Sequence, residues 1–289
     1  KQNITNSSEK EFITVYLLFC DFMISEDLKK LDAALKISKK WDDRKPYQTE
    51  LLLKIYSANY TFLNDKSEPK KAITKALEGY QIPDFNQAKI TTQIQYLSDI
   101  SALYRENKNP FEAVSFGEKA LRLQLQNKGE NSDEVAEYYN LLGDLYIESY
   151  NPTKANKYYQ KAIVIWGKLY LNNPENSDKL LTAYRNLIRT LLEYGDFEAA
   201  KKLNDKQNAV FFKQYKNPKN RTVATYFHSR QMYIHSNVSL NAALKNFEKA
   251  TQYCDSLKTE TSFKKENKDD IQFFVMRYFD IIDFTYEYE

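Results

Sequence analysis

Glycine is scarce in this chain. There are 6 in 289 residues, where average usage of roughly 7% would give about 20. Folds that depend on tight turns or on glycine-rich phosphate loops are disfavoured at that level. Proline is also scarce, at 7, so long helices can run without interruption. The 2 cysteines, Cys20 and Cys254, form no disulfide framework and no zinc spacing. An elongated chain would hold them near opposite ends, out of bonding reach. The 2 histidines, His228 and His235, share one helix face, but a metal would need a third ligand that no spacing supplies. Neither sign of charge dominates, with 42 basic residues against 39 acidic ones interleaved along the sequence. No global field therefore draws the chain to nucleic acid or anionic lipid. The longest apolar run, 12–24, contains Asp21 and is too short to span a bilayer.

Catalytic signatures are missing as well. The sequence holds no GxGxxG, phosphate-loop, GxSxG or HExxH pattern. Cys254 and His235 fall at opposite ends of one helix pair, roughly 20 Å apart at 1.5 Å per residue, which rules out a nucleophile–base couple. No catalysis and no cofactor is expected. The chain opens on Lys1 rather than Met, as a trimmed or processed polypeptide would, and its compartment stays open.

What is present is periodic. Pro69, Pro110 and Pro152 lie 41 and 42 residues apart, and each is followed three residues on by alanine, at Ala72, Ala113 and Ala155. Proline is tolerated in the first turn of a helix and not deeper, so the three mark equivalent helix starts. Pro46, Pro83, Pro174 and Pro218 then fall where one unit hands over to the next, as expected after a helix stop. The period predicts helix pairs at about 9–44, 46–82, 86–128, 132–174, 177–217 and 221–257, then a charged break and a last helix within 259–289. Both terminal helices, FITVYLLFCDFMI and IQFFVMRYFDIIDFTYEYE, are apolar on more than one stripe. That implies burial on two sides, by continuing sequence or by self-association through these ends.

The fourth unit, 136–167, carries Tyr139, Leu142, Gly143 and Tyr146 and then Ala155, Tyr159 and Ala162. This resembles the tetratricopeptide repeat, in the long-helix form with a period near 42. Small residues at Gly143, Ala155 and Ala162 would let two antiparallel helices approach closely while aromatics fill the flanks. The resemblance implies an all-α, right-handed superhelix of about six helix pairs plus a C-terminal helix. It further implies a non-catalytic scaffold that holds a protein or peptide, with no nucleic acid. The family's inner wall is built from first helices. In this sequence its positions are Asn140, Asp144 and Glu148, then Arg185, Arg189 and Leu192, then His228, Met232 and His235.

Arg185 and Arg189 are four apart, so they point the same way and could grip a carboxylate or phosphate. Alternatively Arg189 pairs within the chain, with Glu193 or with Glu148. The carboxylate clamp of chaperone-binding relatives is not reproduced. A second basic cluster, Lys213, Lys216, Lys219 and Arg221, reads as a solvated loop. The segment 249–289 is loosely similar to the junction where such repeats precede a caspase-like CHAT protease domain. This gives an alternative role as the sensing arm of a larger enzyme or sensor kinase, with any catalytic residues beyond Glu289.

Overall fold

The computed structural model describes residues 7–41, 44–171 and 178–214. Among them are ten α-helices and no strand. They form five antiparallel pairs: α1 (Ser7–Ser25) with α2 (Leu28–Ser38), α3 (Pro46–Asp65) with α4 (Pro69–Tyr80), and α5 (Ile90–Glu106) with α6 (Pro110–Lys128). Then come α7 (Asp133–Glu148) with α8 (Pro152–Leu169) and α9 (Asp178–Glu193) with α10 (Phe197–Gln214). Each pair packs on the next, so the core is a continuous series of contacts along the stack. The expected sixth pair, the last helix, His228, Met232, His235 and Cys254 lie outside the described residues.

Pro69, Pro110 and Pro152 open α4, α6 and α8. Pro46 corrects its expectation: it opens α3 instead of following a helix stop, for the same reason, since a first-turn residue needs no amide proton. The start expected near 86 is also revised. A single 3-10 turn at Phe85–Gln87 buries Phe85, and α5 begins only at Ile90.

Every first helix is followed by a left-handed residue. Glu26, Ser67, Lys108, Tyr150 and Gly195 all have φ between 54° and 82°. In four of the turns the amide three places past the helix reaches back to its last turn: Glu68 to Leu63 (2.9 Å), Asn109 to Tyr104 (2.9 Å), Asn151 to Tyr146 (2.8 Å) and Asp196 to Leu191 (2.8 Å). This is the Schellman stop, made here mostly without glycine. A side-chain cap then starts the second helix, as Asn151 accepting from the Lys154 amide (3.1 Å) and Asp196 from Ala199 (3.2 Å) show. Tight turns are therefore present despite the shortage of glycine.

These turns fix a common register. One ring of positions reads Tyr56, Leu97, Tyr139 and Tyr184, all buried. The first turns of the second helices are closed by Ala72, Ala113, Ala155 and Ala200, all fully buried. A Cβ added at Gly143 would strike the Tyr159 ring, with Cδ1 at 2.6 Å and Cζ at 2.8 Å, so α7 and α8 meet where neither has room to give. Gln207, off the aromatic–alanine pattern in α10, donates to the Leu181 carbonyl at 3.1 Å and so still ties α10 to α9.

Candidate functional site

First helices of successive units, α1 with α3, α3 with α5 and α7 with α9, approach one another directly, while no pair of second helices comes equally close. The stack therefore curves with first helices inside. Side chains spaced about one period apart lace that inner layer together. Thr92 donates to Glu50 (2.7 Å), Tyr60 to Asp99 (2.6 Å) and Asn64 to Glu106 (2.9 Å). Ser98 and Tyr138 share a 2.6 Å hydrogen bond, and Arg105 holds Glu148 through Nε at 2.8 Å. Lys179 bonds both Asp133 and Glu137.

Several predicted wall residues belong to this lacing. Asp144 accepts from Tyr159 (2.6 Å) and from Asn186 (3.2 Å). Burial pushes its carboxyl above the usual range, partly countered by the Tyr159 hydrogen bond and by the charges of Arg105 and Arg189. Asn140 lies at 3.5 Å from the same Asn186 amide. Glu148 is taken by Arg105, so it is no partner for Arg189. The suggested Arg189–Glu193 pair is a contact of only 3.9 Å between two half-exposed side chains, which contributes little. Arg185 is exposed and has no ion pair among the described residues. Leu192 is half-buried beside them. Arg185, Arg189, Asn140 and Asp144 thus share one face of α7 and α9, and within it the arginines are the groups that remain available.

Charge interleaved along the sequence separates in space. The five first helices carry six Lys or Arg against fourteen Asp or Glu, and the five second helices seventeen against six. The alternation of helices hides this from a reading in chain order. Cys20 is a free, half-buried thiol. Among the described residues no three His, Cys, Asp or Glu side chains converge on a metal-sized site. No described helix is long and apolar enough to cross a membrane.

The tetratricopeptide-repeat family model matches residues 92–166, which takes in nearly all of α5 to α8. Residues 92–166 carry the tetratricopeptide-repeat pattern. The same fold recurs in solved structures. A kinesin light chain of Podosopora anserina with nearly identical TPR-like repeats is 12% identical at a TM-score of 0.58, covering 72% of this chain and 97% of that one. BtubC (BKLC) of P. vanneervenii is 16% identical at 0.53, over 91% and 96%. The apo form of RapI is 13% identical at 0.60, over 94% and 70%. At these identities the likeness is one of fold. No curated relative matches the chain.

Sequence reasoning did not find the lacing. Its signal was the period itself: polar residues on first helices recur about 42 apart, as Asn64 and Glu106 do. Only a register fixed by the turns brings such pairs together.

Proposed function

We propose that this chain is a non-catalytic scaffold that binds an acidic peptide or protein segment on the inner face of α7 and α9. Tetratricopeptide arrays present an extended concave surface, which suits an elongated partner. The observation that carries the reading is the exposure of Arg185 and Arg189, one helical turn apart, beside α7, whose carboxylates are already engaged. Two guanidinium forks on one face can take a carboxylate in bidentate fashion. Asn140 and Leu192 would supply a polar and an apolar flank. Many shallow contacts of this kind give micromolar affinity, about −8 kcal/mol.

The test is Arg185→Glu with Arg189→Glu, used as bait in the native host beside the wild-type chain. Loss of one or more partners, with the remainder recovered normally, is the expected result. Unaltered recovery of every partner would remove the arginine pair from the proposal.

A further inference from the structure

In the register set by the five left-handed turns, one position of the first helices reads Leu18, Asn59, Ile100, Leu142 and Leu187. Ile100, Leu142 and Leu187 are fully buried, and Asn59 is 1% exposed. The second pair therefore places a carboxamide where its neighbours place aliphatic core. Neither Oδ1 nor Nδ2 of Asn59 has a protein partner. A buried amide left this way costs stability, and asparagine is also a poor helix former. Folding alone gives no reason for it.

Asn59 forms part of the floor of a cleft of about 630 Å³ between α2 and α4, lying over α3. Leu28, Phe62 and Leu63 make its apolar wall. On the rim, Lys71 is ion-paired with Glu68 at 2.6 Å and Lys75 with Glu78 at 3.1 Å. Lys70, and Lys66 over the Phe62 ring at 5.3 Å, have no carboxylate partner among the described residues. The cleft opens beside second helices, on the opposite side of the stack from Arg185 and Arg189.

The geometry points to a second binding site here, for an extended peptide segment in which the N–H and C=O of one residue pair with the Asn59 carboxamide and an acidic group meets Lys66 and Lys70. A carboxamide offers a donor and an acceptor in one plane, and the C=O and N–H of one residue in an extended segment offer the matching pair. A bare carboxylate or phosphate can only accept, which would leave Oδ1 unsatisfied. The two lysines add a preference for a negative charge next to the paired amide. This site is independent of the inner-face reading.

The full chain is titrated with N-acetyl-glutamate N-methylamide and followed by nitrogen–proton correlation spectra of the Asn59 side-chain amide. A saturable shift is expected. Asn59→Leu, which restores the aliphatic residue of the other units, should keep the helical spectrum and weaken binding at least tenfold. Lys66→Glu with Lys70→Glu should keep the shift produced by N-acetylglycine N-methylamide and lose the preference for the glutamate probe; this second variant decides the matter if Asn59→Leu misfolds. The proposal is overturned by no shift with either probe, or by equal binding in Asn59→Leu. It is equally overturned if acetate moves the same signals as strongly.

Discussion

The second and fourth helix pairs are the same hairpin filled in opposite ways. In α7 and α8 the small residue is Gly143 on the first helix, and the ring is Tyr159 on the second. At the equivalent positions of α3 and α4 the ring is Tyr60 on the first helix and the small residue is Ala76 on the second. Both rings are buried, and each sends its hydroxyl to a carboxylate, Tyr159 to Asp144 and Tyr60 to Asp99, at 2.6 Å in both cases. One position earlier on the first helix the fourth pair has Leu142 and the second has Asn59. The packing rule is therefore conservation of summed volume across the contact, with freedom over which helix supplies it. The exception at Asn59 is one of chemistry.

The comparison breaks most visibly if the rings are removed. Tyr159→Ala should cost about 3–5 kcal/mol, and Tyr60→Ala a comparable amount. Native-state hydrogen exchange should show each loss centred on its own pair, because a repeat array is stabilised by neighbour contacts. A loss spread evenly over all ten helices would contradict the separate roles of the two pairs. Next in size is Gly143→Ala, which forces a methyl into the Tyr159 ring and should cost about 1–3 kcal/mol. A thermal midpoint that did not move would mean that α7 and α8 are farther apart than the hairpin requires.

The two carboxylates under these hydroxyls give a pH-dependent prediction. Burial raises both Asp99 and Asp144, partly offset for each by its tyrosine hydrogen bond. A carboxyl with a folded pKa above its unfolded one favours the native state when protonated. The chain then loses that contribution as pH rises from the ordinary aspartate range, near pH 4, through the raised value. Asp144→Asn keeps an acceptor for Tyr159 and has nothing to ionise. It should be more stable than the wild-type chain at pH 7, and urea midpoints of the two should converge in acid below about pH 4. A variant less stable at pH 7 would show that the ionised form is the favoured one. The smallest effect belongs to the turns: Lys108→Gly relieves a φ of 57° and should stabilise by about 0.5 kcal/mol, readable as a small rise in thermal midpoint.

The fourth pair was legible in the sequence because it spells the family pattern outright, with Gly143 on the first helix and Ala155 and Ala162 on the second. The second pair was legible too, since Tyr60 facing Ala76 follows from the same register, with the aromatic moved to the first helix. The three spaced prolines gave the helix starts correctly because first-turn chemistry is local. Pro46 misled because first-turn and after-stop prolines look alike until the neighbouring helix is placed. The Schellman turns were invisible for want of glycine, since Glu26, Ser67, Lys108 and Tyr150 carry no signature of a left-handed backbone. At the inner face, the shared direction of Arg185 and Arg189 followed from their spacing, whereas the capture of Glu148 by Arg105 depends on a contact 43 residues away. Asn59 could not be singled out, because a lone polar residue on a helix reads as solvent-facing until its register is known.

The most direct measurement is a reciprocal exchange at that register position, Asn59→Leu beside Leu142→Asn, with hydrogen exchange read helix by helix. Leu142→Asn should weaken protection of α7 and α8 by about 3–5 kcal/mol, from lost apolar burial and an orphaned amide. Asn59→Leu should leave α3 and α4 as protected as in the wild-type chain or more so. If Asn59→Leu weakened its pair as much as Leu142→Asn weakens the other, the two sites would not be equivalent, and the common register on which every assignment rests would be wrong.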